Sequence, residues 1–141
     1  MKPQSSRFIL GVDIGSPNGD YSVKTIWKDG KTVKSMKNGI ELIAEERQRQ
    51  IDVEGYTKQH DSHHQASEFL SAVLAYVEAA RAGVSYQESG NINEAEIYMA
   101  KRDKRIFFPW GEANFKPTTD VRDLVKAGAL IAAAIDRLQN Q

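Results

Sequence analysis

The stretches ASEFLSAVLAYVEAARAG (residues 66–83) and TTDVRDLVKAGALIAAAIDRLQ (residues 118–139) carry the strongest structural signal in the chain. In the first, Ala66, Phe69, Leu70, Val73, Leu74, Val77 and Ala80 recur at i, i+3, i+4, i+7 spacing, which predicts an amphipathic helix ending near Gly83. Asp61 or Ser62 is its candidate cap, because Ser62-His63-His64-Gln65 has the S-x-x-Q form of a capping box. In the second, Thr119 or Asp120 caps a helix whose apolar stripe is Val121, Leu124, Val125, Gly128, Ile131, Ala132, Ile135 and Leu138. Gly128 falls on that stripe, where it would let another backbone come close.

Working outward, Ile40, Ile43, Ala44 and Ile51 share one face and predict an earlier helix over 40–51 that Gly55 closes. Residues 84–118 read as irregular apart from a short helix at Asn93 to Lys101. They hold the aromatic knot Ile106-Phe107-Phe108-Pro109-Trp110 and the pair Lys116-Pro117. Ahead of residue 38 the period changes to two: Phe8 to Ile14, Tyr21 to Trp27 and Lys31 to Lys34 read as strands. Ser16 to Asp20 reads as a loop, and Asp29-Gly30 as a two-residue hairpin turn. The expectation is an α+β single domain over 1–141, with an N-terminal three-stranded antiparallel meander (1–37) packed on a bundle of three main helices within a helical core (38–141).

Length and composition narrow the chemistry. A chain of 141 residues and 15.8 kDa buries roughly 68% of its unfolded surface, enough for one core. No apolar run spans a bilayer and the first residues lack a signal-peptide core, so the expectation is a protein of the cytoplasm with no membrane partner. Zero cysteines exclude disulfides, thiolate zinc sites and cysteine nucleophiles. The formal net charge is zero, which argues against nucleic acid as a partner. That zero is uneven: residues 1–37 carry seven Lys/Arg against three Asp/Glu, residues 38–100 four against eleven, and residues 101–141 eight against five. The acidic middle either docks the basic ends internally or meets a basic partner.

Three resemblances follow from quoted residues. FILGVDIGS (8–16) resembles the opening of an RNase H-like domain, which would make Asp13 a metal-binding carboxylate, although no later β-rich run completes that sheet. ERQRQ (46–50), EGYT (54–57), His60-Asp61, Pro109-Trp110, Lys116-Pro117 and DLVKAGALI (123–131) together resemble a family of uncharacterised small phage and prophage proteins over about residues 40–138. That resemblance implies a mobile-element origin and a shared helical core, with no reaction to carry over. The acidic helices resemble all-α nucleotide pyrophosphohydrolases in general character, but their E-x-x-E and E-x-x-D pairs are missing: Glu41 and Glu45 are four apart, and Ser71 follows Glu68 at i+3.

The candidate ligand site comes from residues that no apolar stripe needs. The loop from Tyr56 to Asp61 would lie beside a helix N-terminus, whose free N–H groups attract anions. Arg47, Arg49, Lys116, Arg122 and Lys126 would add cationic donors, and Tyr56, Phe108 and Trp110 would stack on a base. His60, Asp61 and His64 complete the cluster, and His60 with His64 and Glu45 or Glu46 would suit a divalent metal. The same residues also fit a solvated helix face, helix caps and a Trp110 that plugs the core. The expectation is a non-enzymatic, phage-encoded accessory protein with no cofactor other than that optional metal. It would sequester a nucleotide-like ligand or inhibit a basic host protein of a defence system, with self-association open. A metal-dependent nucleotide phosphohydrolase or an RNase H-like nuclease is the alternative.

Overall fold

The computed structural model describes residues 7–9 and 23–141. Its helices are α1 (Gly39–Glu54), α2 (Lys58–Asp61), α3 (Ala66–Glu88), α4 (Glu94–Arg102) and α5 (Asp120–Gln139), with 3₁₀ turns at Asp103–Phe107 and Glu112–Asn114. The chain divides into two compact units, Met1–Leu42 and Ile43–Gln141.

The expected class, α+β with a three-stranded antiparallel meander packed on the bundle, is overturned: the protein is mostly helical. Among the described residues, extended backbone is a minor component, in the short segments β1 (Arg7–Ile9), β2 (Val23–Lys28) and β3 (Lys31–Met36). Their pairings are local, from Val23↔Met36 to Lys28↔Lys31 around Asp29-Gly30 and from Arg7↔Trp27 to Ile9↔Thr25. Asp13 and the loop at 16–20 lie outside the described residues, as does most of the long first strand expected from Phe8 to Ile14. Period-two patterning reports local β preference, whereas class is set by which residues bury one another. Here the buried apolar cluster is drawn entirely from residues Phe69 to Ala134.

That cluster joins α3 and α5 in antiparallel array. Gly83 of α3 sits against Asp120 at the start of α5, and at the other end Arg137 Nε donates to the His64 carbonyl at 3.2 Å. The seam is built of small residues, Ala72, Ala75, Ala79 and Gly83 on α3 facing Ala127 and Ala134 on α5, all buried. Small side chains let two backbones approach closely, so dispersion contacts accumulate along the whole length. Phe69, Tyr76 and the fully buried Phe115 fill the volume beside the seam.

Helix boundaries and faces differ from expectation in three places. The capping box sits at Gln65 and Glu68 rather than Ser62 and Gln65, so α3 starts at Ala66, and the preceding turn α2 is separately capped by Thr57. On α5 most of the expected stripe faces outward: Val121, Leu124, Ile131, Ile135 and Leu138 are 42–62% exposed, while Val125 of that stripe is buried together with Ala127, Leu130, Ala133 and Ala134. On α1, Ile40 is exposed and the buried residues are Glu46 and Gln50.

Candidate functional site

The inward face of α1 carries charge, and that charge organises the site. Glu46, 1% exposed, receives Arg49 Nη2 at 2.8 Å and Arg122 Nη2 at 2.6 Å, and Gln50 Nε2 lies 3.4 Å from its Oε1. Burial alone would raise the Glu46 pKa; the Arg49 hydrogen bond and the attraction of Arg122 outweigh it and hold the carboxyl below its usual value. Arg49 also reaches Glu54 at 2.6 Å. Its hydrogen bond to Glu46 raises its own pKa further, against the cost of burial. A buried carboxylate is tolerated only when paired in this manner.

One residue along, Arg47 turns to the α1–α2 connection. Its guanidinium donates to the Tyr56 carbonyl at 3.3 Å and to the buried Asp61 carboxylate at 2.7 Å. The other Asp61 oxygen lies 3.2 Å from His60 Nδ1. A carboxylate can only accept, so Nδ1 carries the proton and Nε2 of a neutral ring is left as an acceptor. Four rings then follow in succession: Tyr56 and His60 stack at 5.0 Å, His60 and His64 lie 5.3 Å apart, and His64 meets Trp110 edge-on at 5.3 Å. Trp110 continues into Phe69 and Phe108, which join the core. Burial raises the Tyr56 hydroxyl pKa, helped by the nearby Glu54.

A third group lies under the Lys116-Pro117 turn. The Lys126 ammonium donates to the Lys116 carbonyl at 2.6 Å and sits 5.2 Å from the centre of the Tyr76 ring. The Lys116 N–H donates to the Tyr76 hydroxyl at 3.4 Å. Burial lowers the Lys126 pKa, opposed by Asp123.

The structure therefore brings Arg47, Tyr56, His60, Asp61, His64 and Trp110 into one row and Arg49 and Arg122 onto Glu46. Lys116 and Lys126 meet through Lys116's backbone, and the Lys116 side chain is exposed. Two features of the structure bear on the expected anion site. Arg47, Arg49 and Arg122 are engaged by Asp61, Glu46 and Glu54 rather than held open for phosphate. The helix N-termini near the loop are closed by their own side chains: Thr57 Oγ1 accepts from the His60 N–H, and Glu68 accepts from the Gln65 N–H at 2.6 Å. Among the described residues, no three His, Asp or Glu side chains gather in a way that could hold a metal ion. Beside Asp61, Lys58, Ala133, Asp136 and Arg137 line a cleft of about 50 Å³, room for little more than water.

Sequence reasoning missed Glu46 as the hub and Tyr76 in the aromatic floor, which Phe69, expected on the apolar stripe of α3, and Phe108, expected to stack on a base, complete. Glu46 was visible as part of the ERQRQ run and as an alternative to Glu45 in a metal set with His60 and His64, and nothing in a helical period marks a carboxylate as inward-facing. Comparison of the chain with family models, with curated proteins and with solved structures finds no match.

Proposed function

We propose that the protein acts by binding, holding a small ring-bearing anion of nucleotide type against the row Tyr56, His60, His64 and Trp110. The observation that carries this reading is that two buried N–H donors at the row, Arg47 Nε and Trp110 Nε1, have no acceptor among the described residues. A buried donor without an acceptor costs about 1–3 kcal/mol, and a ligand bearing phosphate or carbonyl oxygens would relieve that cost. Half-exposed His60 would stack on a base with its Nε2 accepting from an amino or hydroxyl group. The cleft beside Asp61 is lined by none of the four ring residues, so the ligand would sit over the row itself, with side chains shifting to open the two buried donors to its oxygens. The resemblance to small phage and prophage proteins adds the setting: the ligand would be withheld from a host defence system rather than consumed.

Calorimetric titration of the full chain with nucleoside monophosphates, triphosphates, cyclic mononucleotides and cyclic dinucleotides tests the reading. At least one class should bind, and His60→Ala should weaken it about tenfold or more with little change in melting temperature, since the side chain is 43% exposed. Absence of heat and of thermal shift across the panel overturns the proposal, and so does a folded His60→Ala that binds as tightly as the native chain. Ligand recovered in altered form would move the reading to the phosphohydrolase.

A further inference from the structure

Beside the two unfilled donors of the aromatic row lies an unfilled atom of the opposite polarity. Gln50 is 5% exposed, and its amide oxygen Oε1 is buried with no donor among the described residues. The orientation of this amide follows from its neighbour. Its Nε2 lies 3.4 Å from the Glu46 carboxylate, which can only accept, so the nitrogen faces Glu46 and the oxygen turns away from it. At about 100° per residue, Gln50 stands round α1 about 40° from Glu46 and about 60° from Arg47, between the two. Residues three apart on a helix are neighbours, so the oxygen that turns from Glu46 turns to the side of α1 that carries Arg47, whose Nε lacks an acceptor. Both residues also hold the first ring of the row: the Tyr56 N–H donates to the Gln50 carbonyl at 3.0 Å, and Arg47 Nη1 donates to the Tyr56 carbonyl at 3.3 Å.

We propose that Gln50 and Arg47 together read the edge of a nucleobase, Gln50 Oε1 accepting from a ring or amino N–H while Arg47 Nε donates to the acceptor next to it. The inference rests on the nucleotide reading above and adds a requirement to it: the base carries an N–H beside an acceptor. Hydrogen bonds to that edge are the usual means by which a protein tells one unstacked base from another. Adenine offers its amino group beside N1, cytosine its amino group beside N3, uracil its N3–H beside a carbonyl and guanine its N1–H beside O6. A fully ionised phosphate has no hydrogen to give Oε1, so phosphate alone leaves the pair half filled. The opening that bares Arg47 Nε to a ligand bares Gln50 as well, because the two side chains lie one turn apart on α1. A base lacking the N–H leaves the buried oxygen without a partner, the situation in which a polar site rejects an analogue most strongly.

Calorimetric titration of the full chain with matched nucleotides decides the matter. Each base that binds is compared, in the same phosphate form, with an analogue whose N–H is removed or methylated: adenine with purine, cytosine with pyrimidin-2-one, uracil with 3-methyluracil, guanine with 1-methylguanine. The native chain should prefer the parent at least about tenfold. Gln50→Met keeps the length of the side chain and removes the amide, so the variant should stay helical by circular dichroism while its affinities for parent and analogue come within about twofold of each other. An analogue bound by the native chain as tightly as its parent overturns the Gln50 assignment and leaves the nucleotide reading standing; that is the result expected if water alone fills the pair. A preference that survives in Gln50→Met overturns the assignment as well. Should that variant fail to fold, the comparison on the native chain still decides. No binding of any nucleotide overturns the nucleotide reading and this inference together.

Discussion

Glu46 concentrates the electrostatics of the helical unit in one side chain, because two guanidinium groups converge on a carboxylate with almost no contact with water. Glu46→Gln keeps the shape and removes the charge on which Arg49 and Arg122 converge. The expected loss is about 3 kcal/mol of unfolding free energy, read from chemical denaturation. A carboxyl whose folded pKa lies below its ordinary 4.5 adds stability that is present above that value and lost as pH falls through the folded one. Below about pH 4.5 the native chain should therefore weaken more steeply than Glu46→Gln. Tyr76 has the opposite sense. Burial pushes its hydroxyl up to about 12, with the Lys116 N–H opposing, so its contribution is whole below pH 10 and declines as pH rises towards 12. Ultraviolet titration should show a late phase that shrinks in Tyr76→Phe; a late phase unchanged in that variant would contradict the burial argument.

The positions of the long helices α3 and α5 were legible in the sequence, because period 3.6 persists over several turns in each. Which face turned inward was legible only in part: Phe69, Val73, Ala80 and Val125 are buried as expected. Leu70, Leu74 and Val77 are more hydrophobic than Ala72, Ala75 and Ala79, yet the alanine side is buried, since close approach of backbones rewards small volume over hydropathy. The site shows the same split. The cluster from Tyr56 to His64 is conspicuous as sequence, but that its arginines would be spent on Glu46, Glu54 and Asp61 depends on helix crossings that no local pattern encodes. Gly83 tests the seam at this scale. A Cβ built there would stand 2.0 Å from Asp120 Oδ1 and 2.8 Å from its Cγ, and Asp120 helps hold the buried Lys101 at 2.5 Å. Gly83→Ala should gain up to about 1 kcal/mol in helix propensity and still lower stability, by roughly 1–3 kcal/mol net. An increase in melting temperature would show that the seam has slack.

Across the molecule the helices are held by different means. α3 and α5 bury a continuous apolar seam, whereas the residues α1 buries are Glu46 and Gln50, and its Ile43 reaches Gly128. Hydrogen-exchange mass spectrometry should find α1 amides opening at a lower free energy than those of α3 and α5; equal protection in all three would refute that ordering. The alanine seam has its own thermodynamic signature. An alanine has no rotamers to surrender, so ordering Ala72, Ala75, Ala79, Ala127 and Ala134 costs backbone entropy alone. The spine of the bundle thus gains cohesion without freezing side-chain motion. The same economy makes it intolerant of drift: at these five positions almost every substitution adds volume, and the two helices would have to part along their length to accept it.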